Sequence, residues 1–325
     1  MTPLFALEDL EAVLPIVRRI APDTPAYAWP LLQERFGFEV VVKHENHTPI
    51  GAFKARSSIV YIQKHIDAHG RPKGVISATR GNHGQSMALA ASRLGLPATL
   101  VVPEGNAEGK NRAMRAFGAD LVVEGRDFDI SRRVAEEKAE EHDYLMVPSF
   151  HRNIVLGVAT YALEFFQKHS DLDVVYVPVG MGSGACGLIT VRDLLGLKTE
   201  IVPVVSERAP AYQLSHAAGH IITTDTAKTF ADGMACREPN QQALDILTHG
   251  ADRIVTVSED EVAEAVRILF ADTHNVAEGA GAAALAAMKK EAIGLTGKKA
   301  GVILSGGNID EGALQTILQG GTPAP

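Results

Sequence analysis

Lys54 lies in His47-Thr48-Pro49-Ile50-Gly51-Ala52-Phe53-Lys54-Ala55-Arg56, a turn that follows an apolar run ending near His44. A lysine that opens a helix after such a turn sits near the positive end of the helix dipole. That placement would lower the amine's pKa and favour its use as a nucleophile. An ordinary surface lysine at a helix start fits the same position. A second loaded stretch is Ser77-Ala78-Thr79-Arg80-Gly81-Asn82-His83-Gly84-Gln85-Ser86. Its Ser77, Thr79 and Asn82 side chains and the N–H groups around Gly81 and Gly84 could hold an anionic or hydroxylated ligand, or could merely cap the helix that follows. His83 reads as a structural hydrogen-bonder rather than a general base.

In the third stretch, Val179-Gly180-Met181-Gly182-Ser183-Gly184, glycines alternate with larger residues ahead of a helix. Such a loop turns its N–H groups toward a phosphate at the helix N-terminus, although a plain tight turn has the same glycines. No Gly-Lys-Ser/Thr follows, so it is not a P-loop. Ala185 at the last glycine position leaves a dinucleotide pattern open, but the next strand ends in Val204-Val205-Ser206 with no acid before Glu207, which weighs against it. The fourth stretch, Leu304-Ser305-Gly306-Gly307-Asn308, presents a hydroxyl at a strand end, and Glu278 precedes an Ala-rich helix as a first-turn acid would. An amine, a polar Asn loop, a phosphate loop and a terminal serine together match an aldehyde cofactor with a phosphate tail, pyridoxal phosphate. No Gly-x-Ser-x-Gly elbow and no metal-ligand spacing is present.

These stretches must sit at strand ends, and the pattern provides the strands. Phe38–Lys43, Gly74–Ser77, Ala98–Val102, Asp120–Val123, Leu145–Val147, Asp173–Val177, Glu200–Val205, Arg253–Val257 and Ala300–Leu304 are short apolar or β-branched runs. Helix-period segments lie between them, including Gly84–Leu94, Asp127–His142, Val155–Lys168 and Asp260–Thr273. This alternation predicts βαβ units, and nearly all-apolar strands predict parallel sheets covered on both faces. The expected class is α/β, with ligands bound in loops at the carboxyl ends of strands. The terminal Gly321-Thr322-Pro323-Ala324-Pro325 reads as a frayed tail.

With 325 residues, 46% hydrophobic and 22% charged, the chain can bury a sizeable core. A net charge of -8 points away from nucleic acid and from an acidic membrane surface. Glu8, Asp9 and Glu11 do not fit a signal peptide, and no apolar run approaches the ~20 residues of a bilayer span. Only Cys186 and Cys236 are present, which suits a reducing cytosol. A cytoplasmic protein is the expectation.

Taken in order, from about Val42 to about Asp310, the segments resemble the fold-type II pyridoxal-phosphate enzymes, which include threonine dehydratases, serine dehydratases and serine racemases. The family's Ser-x-Lys-x-Arg appears here as Ala52-Phe53-Lys54-Ala55-Arg56, with Ala in place of Ser. The resemblance implies that Lys54 carries the cofactor as a Schiff base and Phe53 flanks its ring. It implies that Asn82 bonds the phenolic oxygen, that Gly180, Met181, Gly182, Ser183 and Gly184 hold the phosphate, and that Ser305 faces the pyridine nitrogen. Residues 1–73 and 150–325 would form a large cofactor-binding domain, with 74–149 a smaller domain inserted in it. The implied reaction is loss of the β-hydroxyl after Lys54 takes the α-proton, giving a 2-oxo acid and ammonia. A neutral hydroxyl at the pyridine nitrogen favours such an elimination over chemistry that needs a long-lived carbanion.

Arg80 departs from the family pattern, because racemases and many dehydratases have Ser there. A guanidinium stays protonated and shuttles no proton, so racemisation is expected to be weak or absent. Arg80 could clamp a substrate carboxylate or point to solvent. Ser77, Thr79, Gly81, His83 and Glu278 are further candidates around the substrate. The stretch Val204–Ala211 offers one acid beside Arg208, and no divalent metal is expected there. Threonine, serine or a bulkier analogue such as phenylserine would be the substrate, and a homodimer is compatible with the resemblance. A β-replacement or threonine-synthase-type enzyme, or a non-catalytic phosphate-binding α/β protein, stays open at this point.

Overall fold

The computed structural model describes residues 3–126 and 128–324. Ten strands are formed: β1 (Ala26–Ala28), β2 (Val40–His44), β3 (Val75–Ala78), β4 (Ala98–Val102), β5 (Asp120–Val123), β6 (Leu145–Met146), β7 (Val174–Pro178), β8 (Glu200–Ser206), β9 (Val255–Val257) and β10 (Ala300–Leu304). They make a six-stranded sheet in the order β1-β2-β10-β7-β8-β9 and a four-stranded sheet in the order β5-β4-β3-β6. Every pairing is parallel except β1 with β2. The α/β expectation therefore holds, with antiparallel β1 as the exception. Only three residues long and largely exposed, β1 is an edge strand too short to leave a hydrophobic period.

Residues of β2 and β10 are buried throughout, as strands covered by helices on both faces must be. One apolar cluster packs the helices Ser57–His69, Arg152–Lys168 and Ser183–Leu194 against one face of the large sheet. A second packs Glu259–Thr273 and Gly279–Lys290 against the other. Helix Arg152–Lys168 is buried along nearly its whole length, which is why its sequence reads as apolar on every side. Glu259–Thr273 starts in a capping box, with Ser258 accepting from the Glu261 N–H and Glu261 accepting from Ser258 N–H. Both orphan N–H groups are thereby satisfied.

Boundaries differ from the sequence reading by a few residues. The helix expected from Gly84 begins at Asn82, the one from Val155 begins at Arg152, and the one from Asp260 begins at Glu259. The helix expected over Asp127–His142 is Phe128–His142, and Asp127 lies outside the described residues. The tail is not frayed where it is described. Pro323 is buried, Arg267 donates to Gly321 O, and the Thr322 hydroxyl donates to Asp260. Such contacts are invisible in a Gly/Pro-rich stretch read in isolation. No helix among the described residues is long and apolar enough to cross a membrane.

Candidate active site

Parallel strands direct their carboxyl ends to one side, and the loops after β2, β7 and β10 converge there. Lys54 belongs to a 3-10 turn, Phe53–Arg56, that leads into helix Ser57–His69. The turn is tied to the β10 end by Phe53 N–H donating to Ser305 O (2.9 Å) and by a bridge between Ala52 and Gly306. Lys54 O accepts from the Ser57 and Ser86 hydroxyls, so the residue's backbone is pinned from two helices.

The Lys54 ammonium donates to Ser183 Oγ at 3.1 Å and lies 5.3 Å from the centre of the Phe53 ring. Burial lowers its pKa from the ordinary lysine value to about 8. A helix dipole is the cause that the sequence suggests; withdrawal from water is the cause in the structure. An amine poised near neutrality can attack an aldehyde and accept a proton.

Ser183 begins helix Ser183–Leu194, whose first N–H groups have no partner within the helix. Two features require glycine in the loop before it. Gly182 has φ +94°, and a Cβ on Gly180 would lie 2.1 Å from Gly233 O. The Tyr161 hydroxyl donates to Gly184 O (3.1 Å) and that of Tyr212 to Met181 O (3.0 Å), which fixes both sides of the loop. Sequence reasoning misses both tyrosines, since nothing local marks a buried tyrosine as a loop anchor.

Asn82 is the first residue of helix Asn82–Leu94. Its amide donates to Glu278 Oε1 (2.7 Å) and its Oδ1 accepts from Asn308 Nδ2 (2.7 Å), while Asn308 also donates to Ile50 O. A primary amide has two N–H groups, so the pair of anchors leaves one donor for a ligand. Burial raises the Glu278 pKa to about 7, against the opposing effects of Lys110 and Asn82. Lys110 is ion-paired with Asp232 and lies 3.8 Å from Asp310. Asn308 and Lys110 are polar neighbours that sequence reasoning misses, because their partners are distant in the chain.

The remaining candidates separate by placement. Thr79 Oγ1 accepts from the Gly81 and Gly84 N–H groups (3.1 and 3.0 Å) and shapes its own loop. Ser77 is buried and donates to Val147 O at 2.8 Å. His83 is buried beside it, with Nε2 at 3.2 Å from Ser77 Oγ. Ser305 is buried, and its hydroxyl has no hydrogen-bond partner among the described residues. Gly81 faces the Lys110 side chain, and a Cβ at this position would fall 3.2 Å from Lys110 Cδ. Arg80 is exposed and makes no ion pair with a described residue. The structure thus brings together Lys54, Phe53, Ser183 and Gly184, and separately Asn82 and Glu278, with Arg80 at the outer edge.

Behind Lys54, Arg56 is fully buried and donates to Glu45 (2.8 Å) and Glu164 (2.7 Å), and Lys43 donates to Glu164 (2.8 Å). Thr24 and Thr160 complete the cluster. Burial alone would raise the Glu45 pKa, but Arg56 and Lys43 hold it below the usual value. Among the described residues no group of His, Cys, Asp and Glu could hold a metal ion.

Comparison with known proteins gives a consistent picture. The family described as "Pyridoxal-phosphate dependent enzyme" matches residues 17–306. An L-threonine ammonia-lyase of Thermotoga maritima is 31% identical over 319 residues, covering 98% of this chain and 79% of its own. An L-threo-3-hydroxyaspartate ammonia-lyase of Saccharomyces cerevisiae is 31% identical over 95% of both chains. Against the biosynthetic L-threonine dehydratase of Salmonella typhimurium, 32% identical, the chain spans 61% of the relative's length. The structure of the processed threonine deaminase isoform 2 of Solanum lycopersicum superposes with a TM-score of 0.90 at 28% identity, over 96% of this chain and 86% of that one.

Proposed function

Because the chain belongs to the family of pyridoxal-phosphate dependent enzymes, we propose that it is a lyase that eliminates water from a small β-hydroxy amino acid, the released enamine then taking up water and losing ammonia to leave a 2-oxo acid. The observation that carries this reading is the Lys54 amine, held at 3.1 Å from the first hydroxyl of the glycine-loop helix and with its pKa lowered to about 8.

The donors present suit the cofactor's groups. Lys54 would hold its aldehyde carbon and Phe53 would flank its ring. The first N–H groups of helix Ser183–Leu194, behind Gly180–Gly184, would hold the phosphate. The spare Asn82 N–H suits the phenolic oxygen, and the unpartnered Ser305 hydroxyl suits the ring nitrogen. Once bound, pyridoxal phosphate supplies an electron sink that acidifies the α-proton of an attached amino acid. Lys54, with its amine free, would be the base that takes this proton from Cα. Its turn is fixed by Ser57 and Ser86 at the carbonyl, so the amine swings on the side chain alone. Arg80, at the outer edge of the loop, would meet the substrate carboxylate with its planar fork, and it cannot return a proton to the opposite face of Cα. Elimination without racemisation follows from that pairing.

We also assign residues 1–73 and 150–325 to a cofactor-holding unit and 74–149 to a smaller unit that supplies the Asn82 loop. Support comes from the sheets: the strands of the four-stranded sheet all fall within 75–146, and those of the larger sheet fall outside it. Substrate class is tested by a panel of L-threonine, L-serine, L-threo-3-hydroxyaspartate and phenylserine, assayed for 2-oxo acid, ammonia and the D-enantiomer. Ammonia from at least one, with no D-product at a comparable rate, is expected; racemisation alone would overturn the reading.

A further inference from the structure

Ser183 is 2% exposed and opens helix Ser183–Leu194, yet its hydroxyl takes no part in that helix. The cap position belongs to Gly182, and no side chain caps this end. Among the described residues the one hydrogen-bond partner of Ser183 Oγ is the Lys54 amine, which donates to it at 3.1 Å. A serine hydroxyl can accept and also donate, so Ser183 still has its own proton to give. Lys54 is equally restricted. It has no carboxylate partner among the described residues, and burial is the cause that lowers its pKa to about 8.

The contact is framed by packing on both sides. Tyr161 meets the Phe53 ring edge-on, with centres 6.3 Å apart, and its hydroxyl donates to Gly184 O at 3.1 Å. Phe53 precedes Lys54 and Gly184 follows Ser183, so one buried tyrosine ties together the chain neighbours of the pair. The Lys54 carbonyl is held by the Ser57 and Ser86 hydroxyls. Only the lysine side chain is left to move, and Ser183 is where it rests.

We propose that Ser183 is a positioning residue, the seat of the Lys54 amine whenever that amine is free, holding it while it takes the α-proton. This rests on the lyase reading. A neutral amine that gives one N–H to Ser183 keeps its lone pair for the substrate. Once it has taken the proton it is an ammonium, and the same hydrogen bond becomes charge-assisted and stronger. Ser183 therefore stabilises the outcome of proton removal more than its start. It exchanges no proton with the substrate, and its own hydroxyl proton is left for the phosphate expected at this helix end.

The seat is tested first in the protein without cofactor. At pH 6, below the Lys54 pKa of about 8, the amine is an ammonium whose proton exchange with water can be followed in 15N spectra and assigned by its loss in Lys54→Ala. Exchange should be about tenfold faster in Ser183→Ala than in wild type, the order expected of one lost hydrogen bond to a charged group. Ser183→Thr, which keeps a hydroxyl, should restore slow exchange. Equal exchange in wild type and Ser183→Ala, or no recovery in Ser183→Thr, overturns the proposal. The second arm uses holoenzyme saturated with cofactor and the best substrate of the panel above, with and without deuterium at Cα. Ser183→Ala should lower kcat about tenfold and leave KM within about twofold of wild type. Deuterium should slow this variant at least as much as it slows wild type. A loss confined to KM or to cofactor affinity, or a fall in kcat that deuterium no longer deepens, would show a merely structural role and overturn the proposal. If the cofactor binds but wild type frees ammonia from no amino acid of the panel, it is the lyase reading that fails, and the inference falls with it.

Discussion

Two buried polar clusters flank the Lys54 turn, and they are built on opposite plans. In one, Lys43, Glu45, Arg56 and Glu164 pair two positive with two negative groups, each within hydrogen-bonding reach of a partner. In the other, Asn82 keeps a spare N–H, Ser305 and His83 hold unpartnered polar atoms, and Glu278 is pushed by burial toward its neutral form. The first is closed to water, whereas Asn82 and Asn308 in the second are only partly buried. The difference teaches where this fold keeps its scaffold and where it keeps its chemistry. A complete network has nothing left to offer a ligand, whereas an incomplete one leaves donors and acceptors that a cofactor and substrate can satisfy.

The comparison can be broken at four points, taken from the largest expected effect downward. Lys54→Ala removes the amine that both holds and reacts, and turnover in the ammonia assay should fall at least ~10³-fold, with the urea midpoint little changed. Arg56→Met strands the Glu45 and Glu164 carboxylates in the interior, and urea unfolding should show a loss of roughly 3–5 kcal/mol. Adding Glu164→Leu to that variant should recover part of the loss, because one stranded charge is gone.

Glu278 gives a pH signature. Its folded pKa, about 7, lies above the ordinary 4.5, so the folded state holds this proton more tightly than the unfolded chain does. The associated stability is present below the unfolded value and is lost as pH rises toward 7. It amounts to roughly 3 kcal/mol. Glu278→Gln, neutral at every pH, should flatten this part of the urea-stability profile between pH 5 and 7; an unchanged slope would show that Glu278 is already ionised. The smallest effect is at Arg80. Arg80→Ala should raise KM for L-serine or L-threonine by about tenfold and leave stability within ~0.5 kcal/mol of wild type.

Much of this architecture is legible in the sequence, and the illegible parts share a cause. The strands are apolar runs bounded by Gly and polar turns, a local signal, so β4, β5 and β10 match their expected limits and the site-bearing β2, β3 and β7 fall within two residues of theirs. Lys54, Asn82, the Gly180 loop and Ser305 can be singled out as candidates because each sits in a distinctive short motif at a strand end. The Asn308–Asn82 and Lys43–Glu164 pairs span more than 100 residues of chain, and no local pattern records such a meeting. Arg56 reads only as the last position of the lysine motif, although it organises the charged cluster. The cause of the lowered Lys54 pKa is also hidden, because a dipole can be inferred from a helix start whereas burial depends on what packs over it. His83 shows the same limit. Its imidazole is visible, but the ring nitrogen left bare is defined by Ser77 and by Val147, from another strand end.

The central claim is that Lys54 forms the covalent link to pyridoxal phosphate. Reducing the wild-type holoenzyme with borohydride and sequencing its peptides by mass spectrometry tests that most directly. The pyridoxyl mass should appear on Lys54 and vanish if an excess of substrate amine is added before reduction. A label confined to another lysine, or no label in a protein saturated with the cofactor, would contradict the account.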